Sequence, residues 1–149
     1  MSRRLAREIA FKTLFQIDMG DSEPELALNK MLGKGDSFDF DSEDFSQEGE
    51  LSPREKEYVA QVVMGCLKEK AYIDDCIKVY LKKWCIYRLS GVDRSLLRLA
   101  VYEIKFREDI PSAVSINEAI ELAKVYQGEE SASFINGVLD NISSGKSAI

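Results

Sequence analysis

The sequence predicts an all-α fold, and three observations predict it. Apolar residues recur at helical spacing in seven stretches, Ser-x-x-Glu capping boxes stand before two of them, and no strand-like alternation or hairpin dipeptide interrupts them. At 149 residues and 45% hydrophobic composition the chain has material for one domain core. No run approaches the ~20 apolar residues that span a bilayer, and Met1-Ser2-Arg3-Arg4 leads into mixed polar sequence. A soluble, cytoplasmic protein without membrane contact is therefore expected.

Helices are predicted at about 3–19, 23–32, 53–69, 71–86, 91–107, 113–126 and 132–143. In the first, Leu5, Ala6, Ile9, Ala10, Thr13 and Ile17 share an arc and Phe11, Leu14 and Phe15 fill the other side, the pattern of a helix buried nearly all round. Ser22-Glu23-Pro24-Glu25 opens the second, which Gly33 stops, and Ser52-Pro53-Arg54-Glu55 opens the third with proline at its first helical position. Between them, Gly33 to Leu51 is rich in Asp, Glu, Ser and Gly without helical period, and reads as a long loop or disordered insert. A break near residue 70 divides the single domain into two packed sub-bundles of about three helices each: 1–70, carrying the acidic insert 34–50, and 71–149.

The fifth helix is apolar around most of its circumference, with Arg94, Arg98 and Lys105 as a narrow basic stripe. Glu103 projects among Val92, Leu96 and Leu99 and needs a partner, for which Arg107 is the nearest candidate. In the sixth, Ile116, Ala119, Ile120, Ala123 and Tyr126 face inward, and Asn117, Glu118, Glu121 and Lys124 face out. Val114 and Val125 lie on that outer face, and apolar groups among charges are the composition of a protein-contact surface. The last helix buries Ile135, Val138, Leu139 and Ile142, and Gly137 in its interior suggests close approach of another backbone. Phe134, at the flank of that apolar arc, is either core or a stacking platform for a base.

The chain has no histidine, which removes imidazole bases, Ser-His and Cys-His nucleophile systems and His-ligated zinc. Cys66, Cys76 and Cys85 show no C-x-x-C spacing and read as buried thiols in a reducing compartment. Neither a cofactor nor a metal is implied. Of 20 basic and 26 acidic side chains, one and seven fall between Lys34 and Glu50, leaving 19 and 19, so the net charge of -6 resides in that segment. Elsewhere charge is placed rather than accumulated. Arg3, Arg4 and Arg7 share an arc at the start of the first helix, and Phe11 continues it one turn further. A helix N-terminus already carries roughly half a positive charge, so three arginines there call for an anionic partner. A solvated basic end, or pairing with the acidic insert, is the alternative.

Several strings resemble one family. Arg3-Arg4-x-Ala6-Arg7, Asp93-Arg94-x-x-Leu97-Arg98-x-Ala100-x-Tyr102-Glu103, Ile110-Pro111-x-x-Val114-x-Ile116-Asn117-Glu118-Ala119-Ile120-Glu121-Leu122-Ala123-Lys124 and Phe134-Ile135-Asn136-Gly137-Val138-Leu139-Asp140 are similar to segments of the bacterial antitermination factor NusB, in order and spacing. They cover about residues 1–20 and 92–142. The resemblance implies a NusB-like fold of two three-helix bundles, without catalysis, that binds boxA RNA of nascent transcripts jointly with ribosomal protein NusE. The complex helps RNA polymerase ignore terminators, notably in ribosomal RNA operons. It also implies an RNA surface combining Arg3, Arg4 and Arg7, with Phe11 and Phe15 beside them, and Glu130, Phe134 and Asn136 at the start of the last helix. NusE is expected on the C-terminal bundle, where Arg94, Glu103, Val114, Glu118 and Glu121 are candidates, and a homodimer is left open. The same fold occurs fused to ribosomal RNA methyltransferases, but no Gly-rich cofactor-binding domain is present in this sequence.

Two rival readings stand beside this one. A helical protein-interaction scaffold without RNA binding differs in having no salt-dependent RNA affinity. A carboxylate-dependent enzyme using Glu118 and Glu121 requires a concave pocket and perturbed carboxylates, which their outward placement opposes.

Overall fold

The strongest local signal forms as its chemistry demands. The Ser52 hydroxyl accepts the Glu55 N–H at 3.1 Å and the Glu55 carboxylate accepts the Ser52 N–H at 3.0 Å, satisfying two orphan donors at one helix start. The computed structural model describes residues 4–20, 23–32, 51–81 and 85–145. Within them lie α1 (Arg4–Gly20), α2 (Pro24–Met31), α3 (Pro53–Lys68), α4 (Lys70–Lys78), a 3-10 turn (Ile86–Arg88), α5 (Gly91–Phe106), α6 (Ser112–Tyr126) and α7 (Glu129–Ser144). No strand occurs among the described residues, so the all-α expectation holds. The acidic segment from Lys34 to Glu50 lies outside them, as do Arg3 and Ser22. The described part of the second helix has Glu23 at its N-cap and Pro24 at its first position, with no side-chain cap bond.

The chain divides into two compact units, Met1–Val63 and Met64–Ile149, the boundary falling inside α3 rather than in the turn after it. In the first, α1 packs on α2, and Ala6, Ile9, Ala10, Phe11, Leu14, Ala27 and Leu28 are buried. In the second, α5 packs against α4, α6 and α7. Its core takes Leu96, Leu97 and Val101 from α5, Ile73 and Ile77 from α4, Leu122 and Ala123 from α6, and Ile135, Leu139 and Ile142 from α7.

Three elements depart from the sequence reading. The helix expected over 71–86 stops at Lys78, where Tyr80 and Leu81 donate to Ile77 and Lys78 in tighter i,i+3 bonds, and a 3-10 turn follows at Ile86. Tertiary contacts described below hold that turn against its apolar helical period. The last helix begins at Glu129, three residues early, because Gly128 adopts φ +118° and Glu129 and Glu130 complement the N-terminal dipole. Gly137 has nothing within 4 Å of where a Cβ would stand, so no backbone packs on it. The glycine that packing requires is Gly65, whose Cβ would meet the Tyr102 ring at 2.3 Å.

Candidate nucleic-acid and partner surfaces

The arginine-led start of α1 is only partly a surface. Arg4 is exposed, but Arg7 is 5% exposed, with its guanidinium carbon 5.8 Å over the Tyr58 ring. Its aliphatic stem packs with the core and its charge rests on an aromatic face, so the shared solvent arc of arginines is corrected. Phe11, 2% exposed, is core and presents no face to a base. Phe15 is half-buried and lines a groove of about 340 Å³ between α1 and α2, with Gln16, Met19, Leu26 and Lys30.

The second unit holds an open cleft of about 450 Å³ lined by Arg88, Leu89, Ser90, Asp93, Gln127, Glu130, Ser131 and Phe134. Two helix starts converge on it. The Ser90 hydroxyl caps α5 by accepting the Asp93 N–H at 3.1 Å, and it also accepts Gln127 Nε2 at 3.1 Å. The Asp93 carboxylate in turn accepts the Ser131 hydroxyl of α7. These bonds tie the 88–93 side of the cleft to the 127–134 side and occupy polar groups of its rim. Glu130 is exposed and Phe134 half-buried, so a carboxylate and a partly open ring share one concave surface. Asn136 is exposed on α7 but does not line it. Of the residues lining the cleft, Phe134 was singled out from the helical pattern and Glu130 through the family resemblance, whereas Arg88, Ser90, Asp93 and Gln127 were not named as site candidates. The Ser90-x-x-Asp93 spacing before an apolar period was the available signal.

The partner candidates separate by burial. Glu103 is 1% exposed and accepts the Ser115 hydroxyl at 2.7 Å, while Arg107 turns Nε and Nη2 onto Asp109 at 3.0 Å each. The buried carboxylate thus finds a hydroxyl from α6, twelve residues on, and Glu103 offers no contact surface. Arg94 and Arg98 are buried too, which removes the exposed basic stripe and leaves Lys105 as its exposed member. Arg98 forks onto Asp74 of α4 at 2.8 and 3.0 Å. Glu118, expected to face out, is buried. Val114 and Val125 are exposed, the latter at 73%, and half-exposed Glu121 lies between them beside Lys124 at 3.7 Å. Of the cysteines only Cys66 is buried, donating to the Arg98 carbonyl at 3.7 Å. Cys85 is exposed because the helix expected to carry it has already ended.

The described residues thus form packed helices that carry two concave surfaces, which defines an all-α helical-bundle protein. The NusB family model matches residues 4–144, and the chain belongs to the NusB family. It is 48% identical over 139 residues to the transcription antitermination protein NusB of Clostridium botulinum (strain Kyoto / Type A2), covering 93% of this chain and 97% of that protein. NusB of T. maritima superposes with a TM-score of 0.81 at 38% identity, over 100% of this chain and 94% of that one. A NusB solved with NusE in complex with double-stranded RNA superposes with a TM-score of 0.76 at 26% identity, over 97% of each chain. No described helix is long and apolar enough to cross a membrane.

Proposed function

We propose that this chain is a non-catalytic transcription antitermination factor that works in the cytoplasm. It binds boxA-type single-stranded RNA together with NusE and helps RNA polymerase read through terminators, notably in ribosomal RNA operons. The observation that carries the reading is the cleft of the second unit. It pairs the half-buried Phe134 ring, a face on which a base can stack, with Glu130, an acceptor for exocyclic amino groups, and Arg88, a phosphate or base-edge donor. The similarity to a NusB solved with NusE and RNA supports the two partners. NusE is assigned to the outer face of α6, where Val114, Glu121 and Val125 are accessible.

The test is a titration of labelled boxA-like single-stranded RNA, a scrambled RNA and a duplex, with and without NusE, at two salt concentrations. The expected result is preferential binding of the boxA strand that strengthens with NusE and weakens with salt. NusE binding without detectable RNA binding would favour the interaction scaffold instead.

A further inference from the structure

We propose that Arg94 is a positioning residue for the cleft, holding the backbone of residues 86–90 as a preformed wall. The proposal rests on the RNA-binding reading above and names what shapes that site.

The wall has little structure of its own. It consists of a three-residue 3-10 turn and a connection in which Leu89 (φ -71°, ψ 154°) and Ser90 (φ -60°, ψ 154°) are extended, so no helical ladder runs through it. Its internal bonds are Arg88 N–H to the Cys85 carbonyl at 2.9 Å and Leu89 N–H to Ile86 at 3.3 Å. The carbonyls facing the other way are taken by one side chain. Arg94 Nη1 donates to Leu89 at 2.9 Å and reaches Ile86 at 3.5 Å, and its guanidinium carbon lies 5.4 Å from the centre of the Tyr87 ring. Arg98, forked onto Asp74, stands 5.7 Å from the same ring. One guanidinium therefore engages residues 86, 87 and 89, while the second ties the same ring to α4.

The chemistry suits arginine in particular. Arg94 is 6% exposed, and its planar fork donates to carbonyls while lying against a ring. A lysine ammonium has the charge without the plane. The wall that Arg94 secures contributes Arg88, Leu89 and Ser90 to the cleft, and Ser90 is the atom group joined to Gln127 and Asp93. Freeing it leaves a ligand to order the wall on binding, which lowers affinity without removing a contact.

Arg94→Lys and Arg94→Met are compared with the parent by thermal melting, RNA and NusE titration at several salt concentrations, and amide hydrogen exchange without ligand. The proposal expects both folded variants to bind RNA about tenfold more weakly. The slope of log affinity against log salt should stay unchanged, exchange at Arg88 and Leu89 should quicken, and NusE binding should be retained. A slope shallower by about 0.7 with the wall amides still protected would make Arg94 a direct phosphate contact and overturn it. Loss of NusE binding alone, or parental behaviour in Arg94→Lys, would overturn it equally. A parent that binds no RNA sinks the proposed function and leaves the wall to the exchange readout, which needs no ligand.

Discussion

Replacing Phe134 by alanine separates recognition from packing. A fully buried phenylalanine costs about 3–5 kcal/mol of stability when truncated to alanine. Phe134 is only half-buried and its neighbour Ile135 fills the core, so the structure sets the loss at about 1–2 kcal/mol. Its open face looks into the cleft, and one stacked base contributes about 1–3 kcal/mol of binding, roughly 5- to 150-fold in Kd. Urea unfolding and RNA titration on the same sample read both quantities. Phe134→Leu sharpens the comparison by keeping apolar volume while removing the π face: stability near the parent with RNA affinity still reduced is expected. Because the ring is uncharged, the salt slope should not move. A loss of 3 kcal/mol or more, with the folded fraction binding RNA normally, would return Phe134 to the core and refute stacking.

Two further outcomes follow from packing and titration. Gly65→Ala should destabilise by about 1–2 kcal/mol in urea unfolding, since displacing the Tyr102 ring from a 2.3 Å approach outweighs a helix-propensity gain of about 1 kcal/mol. In a Tyr102→Ala background the same change should become stabilising, and additivity in that cycle would refute the clash. Stability should also fall as pH rises above about 9. Burial, then the nearby Glu103 charge, pushes the Cys66 thiol up from its ordinary 9.0, and burial raises Tyr102 from 10.0. The unfolded chain therefore releases protons that the folded chain retains, and above its ordinary value the buried Cys66 thiol removes about 1.4 kcal/mol per pH unit, with Tyr102 adding in the same direction. Melting temperatures from pH 8 to 10.5 check this, and Cys66→Val should flatten the curve at its lower end.

What the sequence made legible was local. The Ser52–Glu55 box, the proline at a first helical position and the period of Leu96, Leu97 and Val101 are settled within a turn or two of chain, and these elements form. The region after Lys78 was not legible, since its apolar spacing continues a helical pattern. The decision is made by Arg94, eight residues beyond Ile86, and by Arg98 anchored to Asp74, twenty-four residues away. Gly65 was invisible for the same reason: its partner ring belongs to Tyr102 on another helix, and the sequence pointed to Gly137 instead. Of the cleft, Phe134 was legible from its place at the flank of the apolar arc, and Glu130, one turn before it, was marked only by the family resemblance. The half from Arg88 to Asp93 is brought there by the chain between two helices.

Burial also changes what the charges can do. An arginine read as solvated is a phosphate ligand, whereas one stacked on Tyr58 or Tyr87 is part of the framework, and Arg7, Arg94 and Arg98 are all of the second kind. Arg88 is then the basic side chain of the cleft, beside the carboxylates of Asp93 and Glu130, and Arg4 is the exposed one at the described start of α1. One phosphate contact in the cleft, from Arg88, corresponds to a salt slope of only about -0.7 on a single strand. A cleft with a ring, an amide and carboxylates is suited to reading bases, whose faces and amino groups it can meet, and poorly suited to holding a polyanion by charge alone. Under the proposed function, positive charge outside the cleft completes the affinity for RNA. If NusE docks on the outer face of α6 as proposed, basic side chains on that partner are one source of it, and joint binding should then steepen the salt slope relative to this chain alone.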